Sequence, residues 1–137
     1  MLLHDKFEDV DEWDDYLNIM MASNQLELCA IYNMRGRLLA SSDGEFEVVN
    51  GEIPRILNAF NHPNQSESRD VDIAGQHYSV CINDGKYGML LKGGVRYATI
   101  CKTSRVLVVG LHKVNTDNDL SSAAVMNLGD FLVTKGM

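Results

Sequence analysis

Between Asp70 and Lys113 the sequence alternates short apolar-rich runs with turn residues, and no turn is long enough to hold a helix. Strands joined this closely run antiparallel to their neighbours, because a parallel connection needs a crossover of about a dozen residues or more. The runs are 71–73, 76–82, 87–92, 95–101 and 105–113. The turns fall at Ala74-Gly75, Asn83-Asp84-Gly85, Gly93-Gly94 and Lys102-Thr103-Ser104. Gly and Asn-Asp-Gly between such runs are hairpin signals. This meander is the frame into which every other element has to fit.

Two strands and two helices come before it. In segment 9–22, Val10, Trp13, Leu17 and Met20 recur at helical spacing. Asp9 and Glu12 have capping-box spacing, and the acids cluster where the helix dipole favours them. Tyr16 lies one turn from Trp13, so the two rings share a side of the helix. The acidic and polar neighbours of Tyr16 (Asp14, Asp15, Asn18) predict a partly exposed ring. Segments 26–32 and 37–41 read as a hairpin around Asn33-Met34-Arg35-Gly36, with positive φ expected at Gly36. Segment 50–61 places Ile53, Ile56, Leu57 and Phe60 on one helical face. Its Pro54 falls in the first turn, where the missing N–H costs little. Segment 62–68 reads as a loop.

A final helix is predicted over 120–135. Ala124, Leu128 and Leu132 form its stripe, with Val125 and Phe131 beside it. Asp117, Asn118 and Asp119 offer caps, and Gly136 offers a stop. The order helix, two strands, helix, five strands, helix predicts an α+β fold: a central antiparallel sheet with the N- and C-terminal helices packed together on one face. The whole chain, 1–137, reads as one domain with an N-terminal extension over 1–8. A chain of this length buries roughly 68% of its unfolded surface, enough for a single core.

The formal net charge of −7 argues against a dedicated nucleic-acid binder. No run of about 18 apolar residues is present, so no membrane span is expected. Segment 1–8 lacks the basic and long apolar regions of a signal peptide, which predicts a cytoplasmic protein. Cys29, Cys81 and Cys101 each sit in an apolar stretch and read as buried free thiols. The histidines are scattered and no C-x-x-C occurs, so no metal site is expected. The chain also lacks a nucleophile elbow, a Walker loop and a dinucleotide fingerprint, so neither catalysis nor a cofactor is expected. Gly93-Gly94 reads as a turn, and the carboxylates of 8–15 as a solvated helix face.

Several motifs, in order, resemble those of the profilin family. Trp13-x-x-Tyr16-Leu17 is similar to the opening W-x-x-Y of that family. Ala30-Ile31 through Gly36, then Ala40-Ser41-Ser42, resembles its first hairpin. Gly75-Gln76-His77-Tyr78-Ser79-Val80 is similar to its G-x-x-Y-x-V strand. Lys102-Thr103 with Leu107-Val108-Val109-Gly110 resembles its K-T-x-x-x-L-x-x-G strand. Leu128-Gly129-Asp130-Phe131-Leu132, closed by Gly136, resembles its L-G-D-Y-L ending.

The resemblance implies a monomeric, cytoskeleton-associated protein with no enzymatic activity. Its implied partners are monomeric actin, proline-rich proteins and anionic phosphoinositides. For the proline-rich ligand it points to Trp13, Tyr16, Leu39, Phe131 and Met137. Aromatic rings with polar tips suit a prefolded polyproline II chain. Leu39 stands where the family often has Trp, and Phe131 where it has Tyr or His. Each change keeps area and removes a donor, at a cost of about 1 kcal/mol, or several-fold in affinity. For actin the resemblance points to Phe60, His77, Ser79, Lys92, Tyr97, Ser122 and Ala123. Lysines common in the family near His77 and Ala123 are missing, which implies weakened binding.

The residues also admit plainer readings. Trp13 lies on the Val10–Leu17 stripe and fits a core position, and Phe131 fits packing of the last helix. His77 and Tyr97 fit solvent-facing strand positions, and Lys92, Arg96 and Lys102 a solvated face. The same element order suits a longin- or roadblock-type regulatory scaffold that dimerises or docks on a larger complex. A small-molecule sensor would need a sizeable apolar pocket.

Overall fold

The computed structural model describes residues 12–42, 46 and 51–137. Its elements follow the expected order. Helix α1 (Glu12–Met21) leads to strands β1 (Leu28–Asn33) and β2 (Leu38–Ser41), followed by helix α2 (Glu52–Asn61). Strands β3 (Asp70–Ile73), β4 (Gln76–Asn83), β5 (Gly88–Lys92), β6 (Arg96–Lys102) and β7 (Val106–Lys113) then precede helix α3 (Asn118–Thr134). The strands form one seven-stranded antiparallel sheet in the order β2-β1-β7-β6-β5-β4-β3. The expected capping pair at Asp9 and the position of Val10 lie outside the described residues.

Local chemistry accounts for the element ends. Helix α3 starts two residues earlier than its periodicity implies, because the Asp117 side chain accepts from the N–H groups of Asp119 and Leu120. Gly36 turns the first hairpin at φ +88°. The β3–β4 turn forces Ala74 to φ +53°, which a side chain resists. Glu52, buried at the start of α2, holds that turn by accepting from the N–H groups of Ala74 (2.8 Å) and Gly75 (2.9 Å). A short 3₁₀ turn, Ser66–Ser68, interrupts the expected loop.

Two cores lie on opposite faces of the sheet. On one, α1 and α3 pack side by side over Cys29, Ile31, Val106 and Val108. On the other, α2 packs Ile53, Ile56 and Phe60 against Tyr32, Leu107, Val109 and their neighbours. Strand β7 feeds both cores, so its residues from Val106 to His112 are buried whichever way they point. Among the described residues no helix is long and apolar enough to cross a membrane.

Helix α3 sits unusually close to the sheet, and two glycines permit it. A Cβ on Gly129 would meet Cys101 Sγ at 2.2 Å, and a Cβ on Gly110 would meet Val125 Cγ2 at 2.5 Å. Glycine within a helix costs about 1 kcal/mol relative to alanine, so its presence at 129 reflects packing rather than propensity. At the edge of the β1 end, Glu27 binds Arg96 through a short ion pair and lies 3.7 Å from Lys113. The hydrogen bond from Arg96 is the main reason the Glu27 carboxyl is held below its ordinary value. The charges of Arg96 and Lys113 assist, and partial burial opposes them.

Two outcomes follow from this packing. Gly129→Ala overpacks the α3–β6 contact, and its urea unfolding midpoint should fall, with a loss of about 1–3 kcal/mol despite the better helix propensity. The Glu27 carboxylate is favoured by folding, so its stabilisation is complete above the ordinary glutamate value and fades as pH falls through the folded value. Thermal melts from neutral pH down to about pH 3 should therefore show a smaller acid-induced drop for Glu27→Gln than for the natural chain.

Candidate functional site

Helix α3 lies over β6 and β7 and reaches β5 at Gly88 through Met126, so most of the same face of β3, β4 and β5 is left open. Cross-strand pairing identifies what that face carries, because paired residues in an antiparallel sheet point the same way. Lys92 pairs with both Ser79 and Tyr97, Ser79 with Asp70, and His77 with Asp72. His77, Ser79 and Lys92 are exposed, and Tyr97 is half-buried. The His77 ring bridges two carboxylates, with Nε2 3.2 Å from Asp70 Oδ1 and Nδ1 3.2 Å from Asp72 Oδ1. Tyr97 stands edge-on to His112, centroids 5.7 Å apart, and His112 Nε2 lies 2.6 Å from Asn118 Oδ1 at the start of α3. Ser122 joins the wall of the face through a 3.0 Å hydroxyl contact with Thr99, and Ala123 beside it is exposed.

The sequence-predicted actin set thus converges on one surface, with one correction. Phe60 is fully buried in the α2 core on the opposite face, where it offers no area to a partner. It belongs to the apolar stripe of α2 that packs onto the sheet with Ile53 and Ile56. Lys92, Arg96 and Lys102 do not form one face either. Arg96, next to Tyr97 in the strand, points to the other side and pairs with Glu27, while Lys102 lies 5.8 Å over the Phe60 ring.

The open face also holds residues that alternation alone does not reveal. Ile82, 61% exposed, pairs with Leu90, which faces the same way as Lys92. A bulge between Val80 and Ile82 shifts the register there and brings Ile82 to this face, which Cys81 already shares with Ser79 by alternation. Cys81 is therefore exposed, contrary to the reading of three buried thiols, whereas Cys29 and Cys101 are buried.

The second candidate set converges at the junction of α1 and α3. Trp13 and Tyr16 meet edge-to-face at 5.7 Å and 78°, and Tyr16 and Phe131 at 5.8 Å and 72°. Leu39 and Met137 pack against the same core, half-buried. Met137 is tied down by its backbone oxygen, which accepts from Thr103 Oγ1 (2.6 Å), Arg105 N and Ser104 Oγ.

Exposure across this cluster is uneven. Trp13 is 2% exposed, Tyr16 5% and Phe131 43%. The expectation of a partly exposed Tyr16 fails for a local reason and a distant one. Its hydroxyl donates to Glu12 Oε2 at 3.0 Å, and Lys135 Nζ sits 5.9 Å over its ring and 5.3 Å over that of Phe131. Burial, and then the Glu12 hydrogen bond and charge, push the Tyr16 hydroxyl pKa up, with Lys135 opposing.

This two-helix face with an aromatic seam, on a seven-stranded antiparallel sheet, has counterparts among known proteins. The family model described as Profilin matches residues 11–137. The chain belongs to the profilin family. Profilin of Drosophila melanogaster is 27% identical over 125 residues, covering 90% of this chain and 98% of that protein. Profilin II of Acanthamoeba castellanii has the same fold, with a TM-score of 0.82 at 23% identity, over 91% of this chain and 99% of that one. Two solved complexes share the profilin fold at lower identity. One is LokiProfilin2 with rabbit actin (TM-score 0.76, 12% identity, 91% of this chain and 98% of that one). The other is mouse profilin IIa with a double repeat from the FH1 domain of mDia1 (TM-score 0.71, 18% identity, 91% of this chain and 99% of that one). The family match over nearly the whole chain displaces the longin or roadblock reading.

The thiols give a direct check on this geometry. Burial pushes Cys29 and Cys101 up to about 12, with a Ser42 hydrogen bond partly opposing it at Cys29 and the charges of Asp130 and Asp84 adding to it at Cys101. The thiolate is the reactive form. Titration of the native protein with a thiol reagent near pH 8 should therefore modify Cys81 rapidly and spare the other two until denaturant is added.

Proposed function

We propose that this family member binds an actin monomer through the open face of β3–β5 and a proline-rich segment at the junction of α1 and α3. It would thereby present actin monomers to proline-rich assembly factors. The observation that carries this reading is the convergence of His77, Ser79, Lys92, Tyr97, Ser122 and Ala123 on a sheet face that no described helix covers. The actin complex of one structural relative and the FH1 complex of another support it. The open face mixes a cation at Lys92, the Asp70–His77–Asp72 cluster and apolar area at Ile82. Such a mixture suits an interface in which a few central residues carry most of the energy.

A cytoplasmic, cytoskeleton-associated monomer without catalytic activity is part of the same proposal. For anionic phosphoinositides, the surface that fits best is a groove of about 490 Å³ lined by Lys86, Lys102, Tyr87 and Ser104 at the end where three hairpins meet. It pairs two ammonium groups with hydroxyl donors, the chemistry a phosphate needs.

Sedimentation of actin monomers with the purified protein tests the main reading. The natural chain should form a one-to-one complex, and Lys92→Glu should weaken it about tenfold, the equivalent of about 1.4 kcal/mol. Retention of neither actin nor poly-L-proline by the folded protein would end the proposal.

A further inference from the structure

The tip of the β3–β4 hairpin overhangs the rest of the open face. Strand β5 first meets β4 at Ser79, opposite Lys92, so residues 71–78 pair only within the hairpin. Two strands alone are marginally stable in water. Yet this tip carries Asp72 and His77, exposed on the open face. Val71, Ile73 and Tyr78 root the hairpin in the α2 core on the other side of the sheet. The turn that joins its strands fits its residues poorly. Ala74 at φ +53° and Gly75 at φ +79° are both left-handed. A two-residue turn of that kind favours Asn-Gly, and an alanine side chain resists it.

We propose that Glu52 is a positioning residue for the actin surface: from the back of the sheet it fixes the turn that sets where Asp72 and His77 stand at the front. The inference rests on the actin reading of the open face and assigns one end of that face its control. Glu52 is buried at the first residue of α2. Its Oε1 accepts from the Ala74 N–H at 2.8 Å and its Oε2 from the Gly75 N–H at 2.9 Å. The N–H groups inside a two-residue turn have no partner in the strand ladder, so the carboxylate supplies what the ladder does not. Hydrogen bonds to an ionised acceptor are about twice as strong as neutral ones, and two of them hold the backbone where Ala74 resists. A carboxylate that served only the helix dipole would have no need to spend both oxygens on a turn 22 and 23 residues away. The arrangement also accounts for alanine at 74. Its half-buried methyl packs against the α2 core, which glycine could not do. Glu52 touches no residue of the open face in these bonds, so its effect on a partner runs through the turn.

The test compares the natural chain, Glu52→Gln, Ala74→Gly and the double variant in sedimentation with actin monomers and in amide hydrogen exchange. Glutamine keeps the size of glutamate but sets an N–H donor against one of the two turn N–H groups. Glu52→Gln should therefore bind actin about fivefold more weakly. Its Ala74 and Gly75 amides should exchange about tenfold faster, while those of β6 and β7 keep their protection. Glycine adopts the left-handed turn without help. Ala74→Gly should thus bind within about twofold of the natural chain, and in the double variant it should restore most of the lost affinity. Equal binding by the natural chain and Glu52→Gln would overturn the inference and leave the actin reading standing. So would a loss that Ala74→Gly does not restore, or a loss of protection spread evenly over the sheet, which marks general destabilisation. If the natural chain does not bind actin, the actin reading fails, and the role assigned to Glu52 fails with it.

Discussion

The arrangement of this molecule depends on how closely helix α3 lies on strands β6 and β7. Gly110 and Gly129 remove the two Cβ atoms that would hold it off, and Val125 and Cys101 fill the space they leave. With α3 that near, β7 is sealed on one face by α1 and α3 and on the other by α2, which explains its burial from Val106 to His112. A sheet of seven strands is too wide for one such helix pair to cover. The far side, β3 to β5, is left uncovered on that face, and this uncovered area is the candidate actin surface.

The same helix serves both candidate surfaces from opposite ends. Near its start, Ser122 and Ala123 border the open face, and the Asn118 contact to His112 props the Tyr97 ring. Near its end, Phe131 meets Tyr16, and Lys135 closes over both rings. The two candidate surfaces lie at opposite ends of a closely packed helix, which on the proposed reading leaves one accessible while the other is occupied. A protein built to hand one partner to another needs that separation.

Most of the fold was legible because it depends on local signals. Hydrophobic period, turn residues and caps placed the seven strands and the last two helices within about two residues of their observed bounds; the expected start of the first helix lies outside the described residues, and the Ser66–Ser68 turn falls in a stretch that reads as loop. The site was legible as a set of positions but not as a surface. Phe60 shares the apolar stripe of α2 with Ile53 and Ile56, so its period points to the core, and it is the family resemblance that carries it to the partner surface. Cys81 lies in an apolar stretch but on the side of β4 that no described helix covers, and a strand's own sequence does not say which side a helix will cover. Tyr16 is surrounded in sequence by acids and an asparagine, but it is closed off by Lys135, more than a hundred residues further along the chain. Contacts of that range are set by the packed fold, and no local window contains them.

The central claim is that this family member has two separate and simultaneously usable surfaces. Sedimentation velocity of labelled actin monomer with this protein and a saturating proline-rich peptide tests it most directly. Separate surfaces predict a single ternary species, with the affinity for actin unchanged by the peptide. Release of actin as the peptide is added would show that the two ligands compete for one site, and would contradict the division of labour along α3.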